Sequence, residues 1–99
     1  MTARLVAAAL ALAAAAAHAQ DNAVARSLAA TCAACHGSDG RSVTTEVVPL
    51  AGLPKEHIVA QMKAFRDGTR PATVMQQLAK GYTDAQIEQL ADYFAGRPR

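Results

Sequence analysis

Two cysteines, two alanines and a histidine stand together in Thr31-Cys32-Ala33-Ala34-Cys35-His36-Gly37, and the chain has no other cysteine. Thiols this close can cycle as a redox disulfide, bind a metal, or anchor a larger group. A thioredoxin-type pair sits in a βαβ setting, and no strand pattern surrounds this one. A structural zinc takes four ligands, and beyond the first 19 residues only Cys32, Cys35, His36 and His57 could serve. A disulfide between residues this near closes a very small loop and contributes little stability.

The remaining chemistry is the C-x-x-C-H attachment site of a c-type haem. The gap between the cysteines spaces the two sulfurs by about one helical turn, so that each can add to one vinyl group of a porphyrin. His36 then follows as the proximal axial ligand, and one such motif predicts one haem c. A second axial ligand must come from farther along. Methionine opposite histidine raises the reduction potential and suits electron transfer. Met75 lies in the stretch Thr69–Met75 ahead of the last predicted helix and is the preferred candidate. Met62 shares a face with Ile58 and Phe65, where core packing is expected, and His57 follows Lys55-Glu56 in a first turn, where solvent is expected. The second ring nitrogen of His36 needs an acceptor to orient it, and the Pro49 carbonyl is the candidate.

Positioning these groups requires a small all-α domain. Arg4 followed by the Ala/Leu run Leu5–Ala17 and then Ala17-His18-Ala19 reads as a secretory signal over residues 1–19, too short for a membrane span. Residues 20–99 are then a mono-haem domain in the periplasm, with no membrane span after cleavage. Setting Arg4 aside lowers the net charge from +2 to +1, which argues against nucleic acid as a partner. With two Phe, two Tyr and no Trp, bulky core residues are scarce, and a domain of this size usually needs a staple such as a cofactor.

Asp21 or Asn22 can cap a first helix running to Ala30, with Val24 and Leu28 on one face. Pro54 opens a second helix carrying Ile58, Met62 and Phe65, which Asp67-Gly68 ends. Thr83 and Gln86 form a capping box for a third, with Ile87, Leu90, Ala91 and Phe94 as its apolar stripe. The intervening segments, 41–53 and 69–81, read as long loops, the second with a short helical piece after Pro71. Loops of that length in a small domain usually wrap something.

With those residues in place, Cys32–Gly37, the Pro-Leu-Ala-Gly loop at 49–52 and Val74-Met75 resemble bacterial class I cytochromes c. The stretches MKAFRDGTRPATVM, Met62–Met75, and AKGYTDAQIEQLADYFA, Ala79–Ala95, are similar to the cytochrome subunit of flavocytochrome c sulfide dehydrogenase. That resemblance implies the class I cytochrome c fold. It assigns Cys32 and Cys35 to thioether links and His36 and Met75 to the axial positions. It also implies an FAD-binding flavoprotein subunit that oxidises sulfide and hands single electrons to this chain, which passes them to a downstream acceptor. Some members carry two haem domains; here there is one motif. No general base, nucleophile or substrate pocket is identifiable, so the chain is not expected to be an enzyme on its own. The alternative is a freely diffusing cytochrome c of a respiratory or photosynthetic chain, for which Lys55, Lys63, Arg66, Arg70 and Lys80 would form a steering ring. Tyr82 reads as a half-buried loop residue, with a haem propionate as its other possible partner.

Overall fold

The computed structural model describes residues 2–99, apart from the side chains of residues 16–22. Five α-helices follow in order: α1 Thr2–Ala30, α2 Ala33–His36, α3 Lys55–Asp67, α4 Met75–Ala79 and α5 Asp84–Ala95. A single 3₁₀ turn, Ser38–Gly40, separates α2 from the long loop, and the described residues contain no strand.

Helix α1 runs unbroken through the position where Asp21 or Asn22 was expected to begin a new helix. The alanine-rich composition around the junction explains the continuity, since alanine has the highest intrinsic helix propensity. The two halves of α1 behave differently. Leu5, Leu10 and Leu12 are 67% to 74% exposed, whereas Ala25 and Ala29 are buried. The described side chains of the apolar half, residues 2–15, thus contribute nothing to the core. No helix among the described residues is long and apolar enough to cross a membrane.

The core lies where α1, α3 and α5 meet. Ala29, Ile58, Leu90, Ala91 and Phe94 form its buried cluster, with Leu28, Leu50, Val59, Met62 and Tyr82 packed against it. Met62 therefore takes the packing role its helical spacing predicts. Burying a side chain the size of Leu or Phe stabilises by about 1.5–3 kcal/mol, so a cluster this small leaves a thin margin.

Helix ends follow local chemistry. Thr83 accepts a bond from the Gln86 N–H while the Gln86 side chain accepts one from the Thr83 N–H, completing the capping box. Gly68 ends α3 with φ +79°, a left-handed conformation that glycine adopts without steric cost. The expected helical piece after Pro71 is α4, and Met75 is its first residue rather than part of a loop. Lys55 pairs with Glu88 and Asp92 at 3.1 and 3.0 Å, and Arg66 pairs with Asp84 at 2.7 Å, fixing both ends of α3 against α5.

Gly40 is the crossing point between the core and the loop. Its carbonyl accepts bonds from the N–H groups of Leu50 and Ala51 at 2.8 and 3.1 Å. Its φ is +75°, and a Cβ there would lie 2.8 Å from Phe94 Cδ1 and 2.9 Å from the Ala51 nitrogen. Only glycine meets both demands. Gly52 extends the attachment, its N–H donating to the Phe94 carbonyl at 2.9 Å.

Candidate haem-attachment site

The turn at the end of α1 carries the cysteine motif on regular backbone. Cys32 donates its N–H to Ala29, and the Cys32 carbonyl accepts from Cys35 at 3.3 Å and His36 at 2.9 Å. Those bonds place Cys32 and Cys35 one helical turn apart, as the spacing predicts. The two cysteines are not bridged to each other, Cys32 being partly buried and Cys35 exposed. Burial pushes the Cys32 thiol above its ordinary value.

His36 Nδ1 lies 2.7 Å from the Val48 carbonyl oxygen. A carbonyl oxygen only accepts, so Nδ1 carries the proton and the lone pair of Nε2 is left for a metal. The acceptor is Val48, one residue ahead of the Pro49 carbonyl expected from sequence. The Val48 carbonyl belongs to the amide that Pro49 closes, and a residue before proline is held extended, which fixes its direction. Gly40 anchors Leu50 and Ala51 on the other side of the proline, so the acceptor is secured from both directions.

Met75 is partly buried at the start of α4 and lies outside the core cluster, unlike Met62. His57 is exposed. Val48, Val74 and Leu78 are each more than half exposed, at 54%, 56% and 51%, although the domain is short of apolar core. A thiol pair one helical turn apart, an imidazole oriented by a backbone carbonyl, and apolar side chains left open to solvent in a domain short of core fit a flat apolar ring carrying a metal, and these residues fit a haem.

Two tyrosine hydroxyls that the sequence left unconnected tie down the turns on either side of the motif. Tyr82 and Thr31 hydroxyl oxygens are 2.9 Å apart, 51 residues apart in the chain. Tyr93 donates to Asp39 at 2.6 Å, which lifts the phenol above its ordinary range. The Asp39-Gly40 pair was legible as a turn, but neither partner tyrosine carried a sequence signal for its contact.

A helical domain that closes around such a turn defines an electron-carrying haem protein of the class I c type. A family model described as Cytochrome c matches residues 22–96. The chain belongs to the cytochrome c family, and its one small domain carries covalently attached haem c. The cytochrome subunit of sulfide dehydrogenase from Chlorobaculum tepidum is 43% identical over 68 residues, 68% of this chain and 60% of that protein. The thiosulfate dehydrogenase electron acceptor of Stutzerimonas stutzeri is 39% identical over 67 residues, 65% of this chain and 31% of that protein. The solved cytochrome c4 of Acidithiobacillus ferrooxidans superimposes with a TM-score of 0.62 at 41% identity, over 65% of this chain and 37% of that one. The chain thus spans between about a third and three fifths of the length of these relatives.

Proposed function

We propose that this cytochrome is a periplasmic one-electron carrier that accepts electrons from the FAD-binding subunit of a sulfide dehydrogenase and passes them to a downstream acceptor. The observation that carries this reading is the 43% identity to the cytochrome subunit of sulfide dehydrogenase. Export and removal of residues 1–19 accompany it, supported by the exposed side chains of residues 2–15, which the core does not use.

When bound, haem c supplies a one-electron iron couple, and the chain does the rest. Cys32 and Cys35 hold the porphyrin through thioethers. His36 presents Nε2 to the iron because Val48 holds the proton on Nδ1. Met75 would offer its thioether as the second ligand to the iron, which would leave no open position for an outside substrate. The exposed apolar side chains of Val48, Val74 and Leu78 would be available to exclude water from the ring. The chain does no sulfur chemistry itself; it offers a docking surface and an exposed edge.

A diffusing carrier is the second reading, favoured by the 39% identity to a thiosulfate dehydrogenase electron acceptor. A steering ring of cations gains less support. Lys55 and Arg66 are taken up in ion pairs, and Arg70 lies 4.6 Å above the Phe65 ring.

Gentle purification from periplasm, followed by sulfide addition, separates the two. The subunit reading expects co-elution with a larger FAD-bearing protein, a chain beginning at Gln20, and sulfide-driven appearance of the reduced cytochrome spectrum. A cytochrome that elutes alone, and that is reduced equally well by unrelated donors, contradicts it.

A further inference from the structure

We propose that Tyr82 is a positioning residue, its hydroxyl clamping the turn after α4 to Thr31 and so holding the Met75 segment against the cysteine turn; this rests on Met75 as the second axial ligand. The Tyr82 and Thr31 hydroxyl oxygens are 2.9 Å apart. Thr31 donates its single hydroxyl proton to the Leu28 carbonyl at 2.8 Å, so Tyr82 is the donor to Thr31. Thr31 directly precedes Cys32, whose own N–H is tied to Ala29 at 3.0 Å.

On the other side, Tyr82 connects to Met75 through a short bonded path. The Tyr82 N–H donates to Ala79 at 3.3 Å and the Gly81 N–H to Leu78 at 3.1 Å, which closes the end of α4. Ala79 is fully buried, and Met75 begins the same five-residue helix. Arg66 holds Tyr82 from behind, donating to its carbonyl at 3.4 Å while pairing with Asp84 at 2.7 Å. The phenol is thus the link by which two segments distant in sequence, the turn that leads into the cysteine motif and the turn that follows the Met75 helix, keep a fixed separation. Movement of Met75 away from the iron carries α4 with it and strains or breaks that link.

Added imidazole competes with the Met75 thioether and reports the ease of that movement. The test is a spectroscopic imidazole titration of the oxidised, haem-loaded protein as wild type, Tyr82→Phe, Thr31→Val, the double variant and Thr31→Ser. Each single variant that loses the bond is expected to bind imidazole about three- to tenfold more tightly, the range one hydrogen bond supplies. The double variant is expected to match the singles, and Thr31→Ser, which keeps the hydroxyl, to match wild type. A residue serving only general stability would instead lower the denaturation midpoint without this shared, non-additive change. Affinities for all variants within about 1.5-fold of wild type, or fully additive effects, overturn the clamp alone. A wild-type protein without a sulfur-to-iron absorption band overturns the ligand assignment, and the clamp with it.

Discussion

His36 and Val48 are joined by a bond of 2.7 Å from the imidazole Nδ1–H to a backbone carbonyl twelve residues away. The bond fixes the tautomer, leaves the Nε2 lone pair free and makes the ring a stronger electron donor to a metal. Its strength depends on a loop that Pro49 stiffens and Gly40 anchors.

Replacing Pro49→Gly is therefore expected to raise the reduction potential. A looser Val48 carbonyl makes His36 a weaker donor, and a weaker donor stabilises the oxidised iron less. If the loss amounts to one ordinary hydrogen bond, the shift is on the order of +20 to +60 mV by spectroelectrochemical titration. A negative shift would mean that the bond does not tune the ligand.

Gly40→Ala should be among the most damaging small substitutions. The new methyl would meet Phe94 Cδ1 at 2.8 Å and the Ala51 nitrogen at 2.9 Å, on a backbone with φ +75°. Strain at a left-handed position together with overpacking predicts a loss of about 2–4 kcal/mol in denaturant unfolding. Loosening of the Leu50–Ala51 attachment should accompany it, read as faster amide exchange at those two residues.

The two methionines should separate cleanly. Met75→Ala is expected to abolish the sulfur-to-iron absorption band and lower the potential, leaving the sixth position open to added ligands. Met62, half-buried against the Ile58–Phe94 cluster, should cost about 1–3 kcal/mol of stability on replacement by alanine, with the band intact. Loss of the band in Met62→Ala would reverse the ligand assignment.

Much of this was legible from residue type and spacing. The cysteine turn, the capping box at Thr83 and the packing role of Met62 all depend on contacts within a few residues, where sequence pattern reports geometry directly. What lay beyond reach depended on backbone direction. Residue types name Pro49 as a stiff element, but only the path of the loop decides that the carbonyl facing His36 is the one before it. The same holds for Gly40, visible as a turn glycine but not as the point where Phe94 presses on the loop. The Tyr82–Thr31 bond spans 51 residues and leaves no local pattern. At the junction near Asp21 and Asn22, the expected caps gave way to the helix propensity of the surrounding alanines.

Acid should weaken the attachment between α3 and α5. The Arg66 guanidinium, with a smaller contribution from Lys63, holds the Asp84 carboxyl below its ordinary value of 3.8. A carboxyl whose folded value is depressed stabilises the fold fully above the ordinary value and loses that contribution as pH falls through the lower one. The stability difference between wild type and Asp84→Asn, measured by denaturant titration, should therefore be constant near neutrality and shrink once the pH drops below 3.8. A difference that persists unchanged through that range would assign the effect of Asp84 to something other than its charge.

Mass spectrometry of the tryptic peptide Ser27–Arg41 from the exported protein tests the central claim most directly. The account predicts that this peptide carries the mass of one haem, with thioether bonds at both Cys32 and Cys35 and no thiol left to alkylate. A compactly folded protein whose Ser27–Arg41 peptide is unmodified, with its thiols free or bridged to each other, would contradict it.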